Sequence, residues 1–182
     1  EEAIFNPSDL SLKQDVLLHG LGRLEKKVEA QFNGLYLDQI RQLMFKVRMF
    51  GLHFASLDIR QDALVVTKAF KSLLEEQEGA EAVARFDAMD EAEAIDYLFA
   101  YTTVCEGTLE EERHQDVLES LRAMQEIQRH NGEAGSHRYI LSNCSGAYHI
   151  AILHAMAKAS GWESSLTVDL VPLFESIQDL DG

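Results

Sequence analysis

The chain carries proline only at Pro7 and Pro172, so no residue of that kind interrupts the long stretch between them. Proline lacks the amide that a helix interior needs, and its ring clashes with the preceding turn. A stretch free of it is open to uninterrupted helices, and helical periodicity dominates here. Ser8 or Ser11 is placed to cap a first helix reaching about Leu24, with Leu12, Val16, Leu17 and Leu21 as its apolar stripe. The span from Leu37 to Met49 repeats that spacing through Ile40, Leu43, Met44 and Val47. A third helix is predicted from Ala63 to Glu78, ended by Gly79, with Val66, Ala69, Phe70, Leu73 and Leu74 turned inward. A fourth covers Glu91 to Tyr101. A fifth, opened by Thr108, runs from Leu109 to Gln128 and buries Val117, Leu118, Leu121 and Met124. Its carboxylates fall in the first turn, where the helix dipole favours them.

Three segments break the helical pattern and read as strands: Gly51–Ile59, Arg138–Cys144 and Leu166–Phe174. One helix, from Tyr148 to Ser160 and closed by Gly161, lies between the second and third. That makes a β-α-β unit with a crossover of parallel-sheet length. Three helices join the first two strands. The expected fold class is α/β and helix-rich, a partial (β/α) barrel segment with about three parallel strands and five to seven helices. With no repeat, low-complexity segment or linker, residues 1–182 read as a single unit: 1–49 a helical lead-in, 50–182 strands with helical connections. Three strands are too few to close a barrel, and the sequence stops just after the last one. The expectation is an internal fragment of something larger.

Composition narrows the partners. In 182 residues, 16 Lys and Arg stand against 31 Asp and Glu, a net charge of −15. That balance argues against nucleic acid, which needs a basic patch, and against an anionic membrane surface. Hydrophobic residues at 46% are enough for a real core, and no apolar run approaches the roughly 20 residues of a bilayer span. The opening residues Glu1 to Pro7 lack the basic start of a secretory signal. Two cysteines, Cys105 and Cys144, give no disulfide framework and point to a reducing, cytoplasmic setting.

Side chains alternate across a strand, so Ser56, Asp58 and Arg60 share one face while Leu57 and Ile59 share the other and are expected to pack on helices. An arginine at the polar end of such a strand can grip a phosphate or carboxylate with two donors. The alternative is a structural Asp58–Arg60 ion pair. On the third strand Asp169, Val171, Leu173 and Glu175 share a face; Glu175, at the strand end, suits a hard metal ion or is a solvated loop carboxylate. Weaker patterns read as structure. Gly20-Leu21-Gly22 follows no strand and has Glu25 where a dinucleotide loop needs its third glycine. His149 and His154 are off a common helix face, so zinc is not expected; His130 and His137 read as exposed, and Cys144 as a buried thiol. The acidic runs Glu75-Glu76 and Glu110-Glu111-Glu112 read as solvated helix faces.

Several blocks together resemble the phosphoenolpyruvate carboxylase family. Leu37-Asp38-Gln39-Ile40-Arg41 is similar to the segment leading into that family's FGL…LDIRQE block, and Phe50-Gly51-Leu52 followed by Leu57-Asp58-Ile59-Arg60-Gln61-Asp62 resembles the block itself. Tyr139-Ile140-Leu141-Ser142 resembles its YIIS strand, and Val171-Pro172-Leu173-Phe174-Glu175 with Asp179-Leu180 its VPLFE…DL block. The resemblance implies a helical protein around a (β/α)8 barrel that carboxylates phosphoenolpyruvate with bicarbonate to oxaloacetate and phosphate, using Mg²⁺ or Mn²⁺. It implies that Arg60 contacts the substrate phosphate and that Glu175 is one of the carboxylates holding the metal. A divalent ion at the enolate oxygen would stabilise the charge developing there. The implied partners are phosphoenolpyruvate and bicarbonate, the rest of the parent chain, and further copies in a homo-oligomer. No catalytic residue falls within the segment: the family's catalytic histidine lies upstream, its second metal carboxylate and its glycine- and arginine-rich loops downstream.

The chain also departs from the pattern. After Asp62 it reads Ala63-Leu64-Val65-Val66 where the family has Ser and then His, and it has Tyr148-His149 where the family has Ser-Asp. Those changes alter the barrel mouth without removing Arg60 or Glu175. Two other readings stand beside the enzyme: a non-catalytic acidic helical interaction module, and a degenerate homologue kept as a structural or regulatory subunit.

Overall fold

The computed structural model describes residues 13–53, 55–162 and 165–180. A helical hairpin comes first. Helix α1 (Gln14–Gln31) packs on α2 (Leu37–Phe50) through a turn that uses positive φ at Asn33, Gly34 and Tyr36. α1 runs about two turns beyond Leu24, because Glu25 to Gln31 is rich in good helix formers even though its apolar stripe fades. Ser8, Ser11 and Leu12, assigned above to its cap and stripe, lie outside the described residues, as does Phe54. No described residue of α1 is buried, and α2 buries only Met44 and Val47.

Strands β1 (Asp58–Asp62), β2 (Arg138–Ser142) and β3 (Asp169–Pro172) form a parallel sheet in that order, as expected. Arg60, Ile140 and Val171 stand level across it. The bounds of β1 need correction, since it begins where the predicted Gly51–Ile59 strand nearly ends. Gly51 instead closes α2 with a φ of 58°, where a Cβ would lie 2.6 Å from the His53 ring, so the chain turns there. Leu57, expected to pack with Ile59, donates its amide to the Gly135 carbonyl (3.0 Å) before the ladder starts and is 60% exposed. β2 stops at Ser142 because Asn143 adopts a positive φ of 53°. β3 is shorter than the predicted Leu166–Phe174.

Four helices, one more than predicted, connect β1 to β2: α3 (Ala63–Glu78), α4 (Ala80–Asp87), α5 (Glu91–Ala100) and α6 (Glu112–Asn131). The unpredicted one is α4, only eight residues long, which buries Ala82 and Phe86. α6 starts at Glu112 and not Leu109; the Leu109 amide is satisfied by the Gln115 side chain at 2.9 Å, outside the helix. α7 (Ala147–Ala159) crosses from β2 to β3 and ends where Gly161 takes a φ of 97° and Trp162 donates back to the Ala157 carbonyl at 3.2 Å. A single turn, α8 (Ile177–Leu180), follows β3.

The core lies on one side of the sheet. Tyr139 and Leu141 of β2 are fully buried in one cluster with Phe70 and Leu73 of α3, Leu118 and Leu121 of α6, and Ile152 and Met156 of α7. The other side of the sheet carries Asp58, Arg60, Arg138 and Asp169, all exposed. The charged face, with the strand starts at Asp58, Arg138 and Asp169 and mid-strand Arg60, therefore stays accessible while the apolar face anchors the sheet to the helices.

Candidate functional site

At the C-terminal edge of the sheet, the ends of all three strands are tied together. Arg60 projects from β1, and its Nη2 pairs with Oε1 of Glu175, which lies past the end of β3. Asp58 and Arg60, which alternation puts on one face, do not pair with each other. Asp58 accepts instead from Arg138 of the adjacent strand (2.9 Å), its partner in register, and this leaves Arg60 to reach across the sheet. Asp62 ends β1 and caps α3, its Oδ1 accepting from the amides of Leu64 (2.8 Å) and Val65 (3.3 Å). Its Oδ2 accepts from Asn143 of the β2–α7 loop at 2.6 Å. The Cys144 amide of the same loop donates to the Leu173 carbonyl just past β3 at 3.2 Å. The turn bearing Glu175 is shaped by Asp179, whose carboxylate accepts from the amides of Glu175 (3.0 Å) and Ser176 (2.8 Å).

Electrostatics follow from these contacts. Burial works against the charge on Asp62, but the hydrogen bonds from Asn143, Leu64 and Val65 outweigh it and hold the carboxyl below its ordinary value. His149, in the first turn of α7, accepts from the Ser145 amide at Nδ1 (3.2 Å), which places the proton of the neutral ring on Nε2. Burial pushes this imidazole below the usual histidine range, against the pull of Asp62 and Glu91. A cavity of about 670 Å³ opens beside the end of β2, lined in part by Phe86, Glu91, Ser145, Tyr148 and His149.

The remaining candidates fall into structural places. Gly20-Leu21-Gly22 lies inside α1. Cys144 is a buried free thiol, pushed up by burial, and Cys105 is likewise buried and free. His130 is exposed and paired with Glu126, whereas His137, expected exposed, is half-buried with a buried Nδ1 that has no hydrogen-bond partner among the described residues. The acidic runs are solvated, as expected. A Ser72–His114–Glu111 chain (2.8 and 3.4 Å) joins α3 to the start of α6. Ser72 and Glu111 line a second cavity together with Glu75, Glu76 and Glu110, whose carboxylates would repel an oxyanion, so the chain serves to satisfy a buried histidine.

Comparison with known proteins decides the family. The family model described as phosphoenolpyruvate carboxylase matches residues 3–182. The chain belongs to the phosphoenolpyruvate carboxylase family. It is 32% identical over 162 residues to a phosphoenolpyruvate carboxylase of Nitrosomonas eutropha, covering 84% of this chain and 17% of that one. For the enzyme of Nitrosomonas europaea the identity is 29% over 153 residues, covering 79% and 16%. For that of Chromobacterium violaceum it is 27% over 178 residues, covering 91% and 19%. The chain thus spans less than a fifth of the length of these curated relatives.

Set against the family's use of a divalent metal, the residues present do not build a metal site by themselves. Among the described residues no three His, Cys, Asp or Glu side chains are grouped to hold an ion. The carboxylate of Glu175 is engaged by Arg60, and that of Asp179 faces backbone amides. Sequence reasoning reached Arg60 and Glu175 through their blocks but missed the Asp62–Asn143 bond that joins two strand ends. The signal for half of it was present, since an aspartate directly before a helix is an N-cap pattern.

Proposed function

We propose that the chain is one part of a phosphoenolpyruvate carboxylase-like enzyme that joins phosphoenolpyruvate and bicarbonate into oxaloacetate and phosphate. Arg60 would hold the substrate phosphate, its planar fork matching a phosphoryl group. Glu175 would supply one carboxylate to a Mg²⁺ or Mn²⁺ site whose other ligands lie outside this chain. The observation that carries the reading is the meeting of Arg60 and Glu175, 115 residues apart in sequence, at the C-terminal edge of a parallel sheet. Chemistry in parallel α/β folds collects at that edge. The parent would be a cytoplasmic homo-oligomer; among the described residues no helix is long and apolar enough to cross a membrane.

The 182-residue chain alone is expected to be inactive. Catalysis would depend on preorganised charge around a developing enolate, and each absent donor costs orders of magnitude in rate. A coupled oxaloacetate assay tests the reading on the isolated chain and on full-length variants. The expected result is no turnover by the chain, weakened metal dependence in Glu175→Gln, and lost substrate affinity in Arg60→Ala. Turnover by the chain, or an unaffected Arg60→Ala enzyme, would overturn it.

A further inference from the structure

Arg60 of edge strand β1 and Glu175, just past the end of edge strand β3, meet across the sheet whose central strand is β2. The other acids beside Arg60 on its own strand are engaged elsewhere, Asp58 by Arg138 and Asp62 by Asn143 and the start of α3. The turn that carries Glu175 is fixed by the Asp179 carboxylate, so Glu175 is delivered to Arg60 by built local structure. A carboxylate and a phosphate ask the same thing of a guanidinium, two parallel N–H donors on one planar edge. Glu175 meets the guanidinium through Nη2, the nitrogen that either two-donor grip uses, so an anion gripping Arg60 with two donors competes with it.

We propose that Glu175 is an internal competitor for Arg60, so that a phosphate-bearing anion reaches the guanidinium only by displacing this carboxylate. The proposal rests on the reading of Arg60 as the anion-binding residue. It makes Glu175 a residue that sets the affinity of that site, in addition to any role it has toward a metal. The side chains of the pair are 58% and 39% exposed, which makes the contact exchangeable. Half-exposed pairs of this kind are weak, so removing the competitor should tighten anion binding by about two- to five-fold. A carboxylate that instead held Arg60 in its binding orientation would give the opposite sign on removal.

The test is calorimetric titration of inorganic phosphate, and separately of phosphoenolpyruvate, into the full-length protein in the presence of a chelator. Glu175→Gln and Glu175→Ala should both bind more tightly than wild type, and adding Arg60→Ala should abolish the gain. Asp169→Asn removes an equal charge from the far end of the sheet and should leave the affinity unchanged. Unchanged or weaker binding in both Glu175 variants, with Arg60→Ala still losing affinity, overturns the competitor and leaves the reading of Arg60 standing. A gain of the same size in Asp169→Asn overturns it too, since bulk charge would then explain the effect. Arg60→Ala with wild-type affinity overturns the competitor together with the reading beneath it.

Discussion

Asp62 works on two neighbours with one carboxylate: one oxygen caps α3, the other anchors Asn143 and with it the β2–α7 loop. Asp62→Ala should cost about 1 kcal/mol, the usual loss for an N-cap. Its folded pKa lies below the ordinary 3.8, so the stabilisation is fully present above that value and disappears as pH falls through the depressed one. Denaturant titrations should accordingly show the gap between wild type and Asp62→Ala at neutral pH and its closure in strong acid; a gap unchanged in acid would mean that the charge plays no part. Arg60 poses a different question, because the phosphate-binding role proposed for it calls for a two-donor fork as well as a charge. Arg60→Lys keeps the charge but loses the fork, so in the full-length protein it should restore only a small part of the phosphoenolpyruvate affinity lost in Arg60→Ala. Full restoration, measured by titration, would reduce the role of Arg60 to a point charge. The positions of Arg60 on β1 and of Glu175 just past β3 were legible because each sits in a distinctive run. Their pairing was not, since the nearer partner, Asp58, is claimed by Arg138 through a strand register that alternation alone does not reveal.

The elements divide along the same physical line. α3 matched its expected span and buried face because Ala63 to Glu78 carries an unbroken apolar stripe between an aspartate cap and Gly79. β1 was misplaced because it is a polar strand. Arg60, Gln61 and Asp62 complete its ladder, and a hydrophobic pattern points to Leu52 and Leu57, which are exposed. α4 escaped because it is only eight residues long, about two turns, although Ala82, Val83 and Phe86 share one face. Phe86 is 3% exposed and meets Phe70 of α3 edge-on at 5.4 Å, and Phe70 meets Tyr101 just after α5 at 5.2 Å. Phe86→Ala should therefore cost about 3–5 kcal/mol, as aromatic deletions from a core do. The loss should be local first. Hydrogen exchange ought to speed up across residues 80–87 well before α3 is affected, and uniform acceleration along the chain would show that α4 is not held through this one ring.

At the scale of the molecule, the chain presents surfaces that a self-sufficient domain would cover. Parallel sheets are ordinarily buried on both faces, yet here one face carries helices and the other an exposed charged set. β1 and β3 are each paired on one side only within the three-stranded sheet, leaving strand edges of the kind that recruit further strands. The α1–α2 hairpin adds apolar surface: Phe32, Tyr36, Phe45 and Met49 are each 55–65% exposed. Several large apolar side chains exposed on one short hairpin suit a surface that another part of a larger protein covers. These features agree with a segment that spans under a fifth of its relatives' length. The isolated 182-residue chain should consequently self-associate. Analytical ultracentrifugation is expected to show dimers or larger species, with binding of a dye that reports apolar surface. Phe45→Lys with Met49→Lys should reduce both signals if the hairpin drives association, whereas charge placed there should change little if the strand edges do. In the full-length protein the dye signal should vanish, because these surfaces would be covered by the rest of the chain. A clean monomer that binds no dye would show that the hairpin and the open sheet are stable as they stand, and would remove the physical reason for expecting a larger barrel around them.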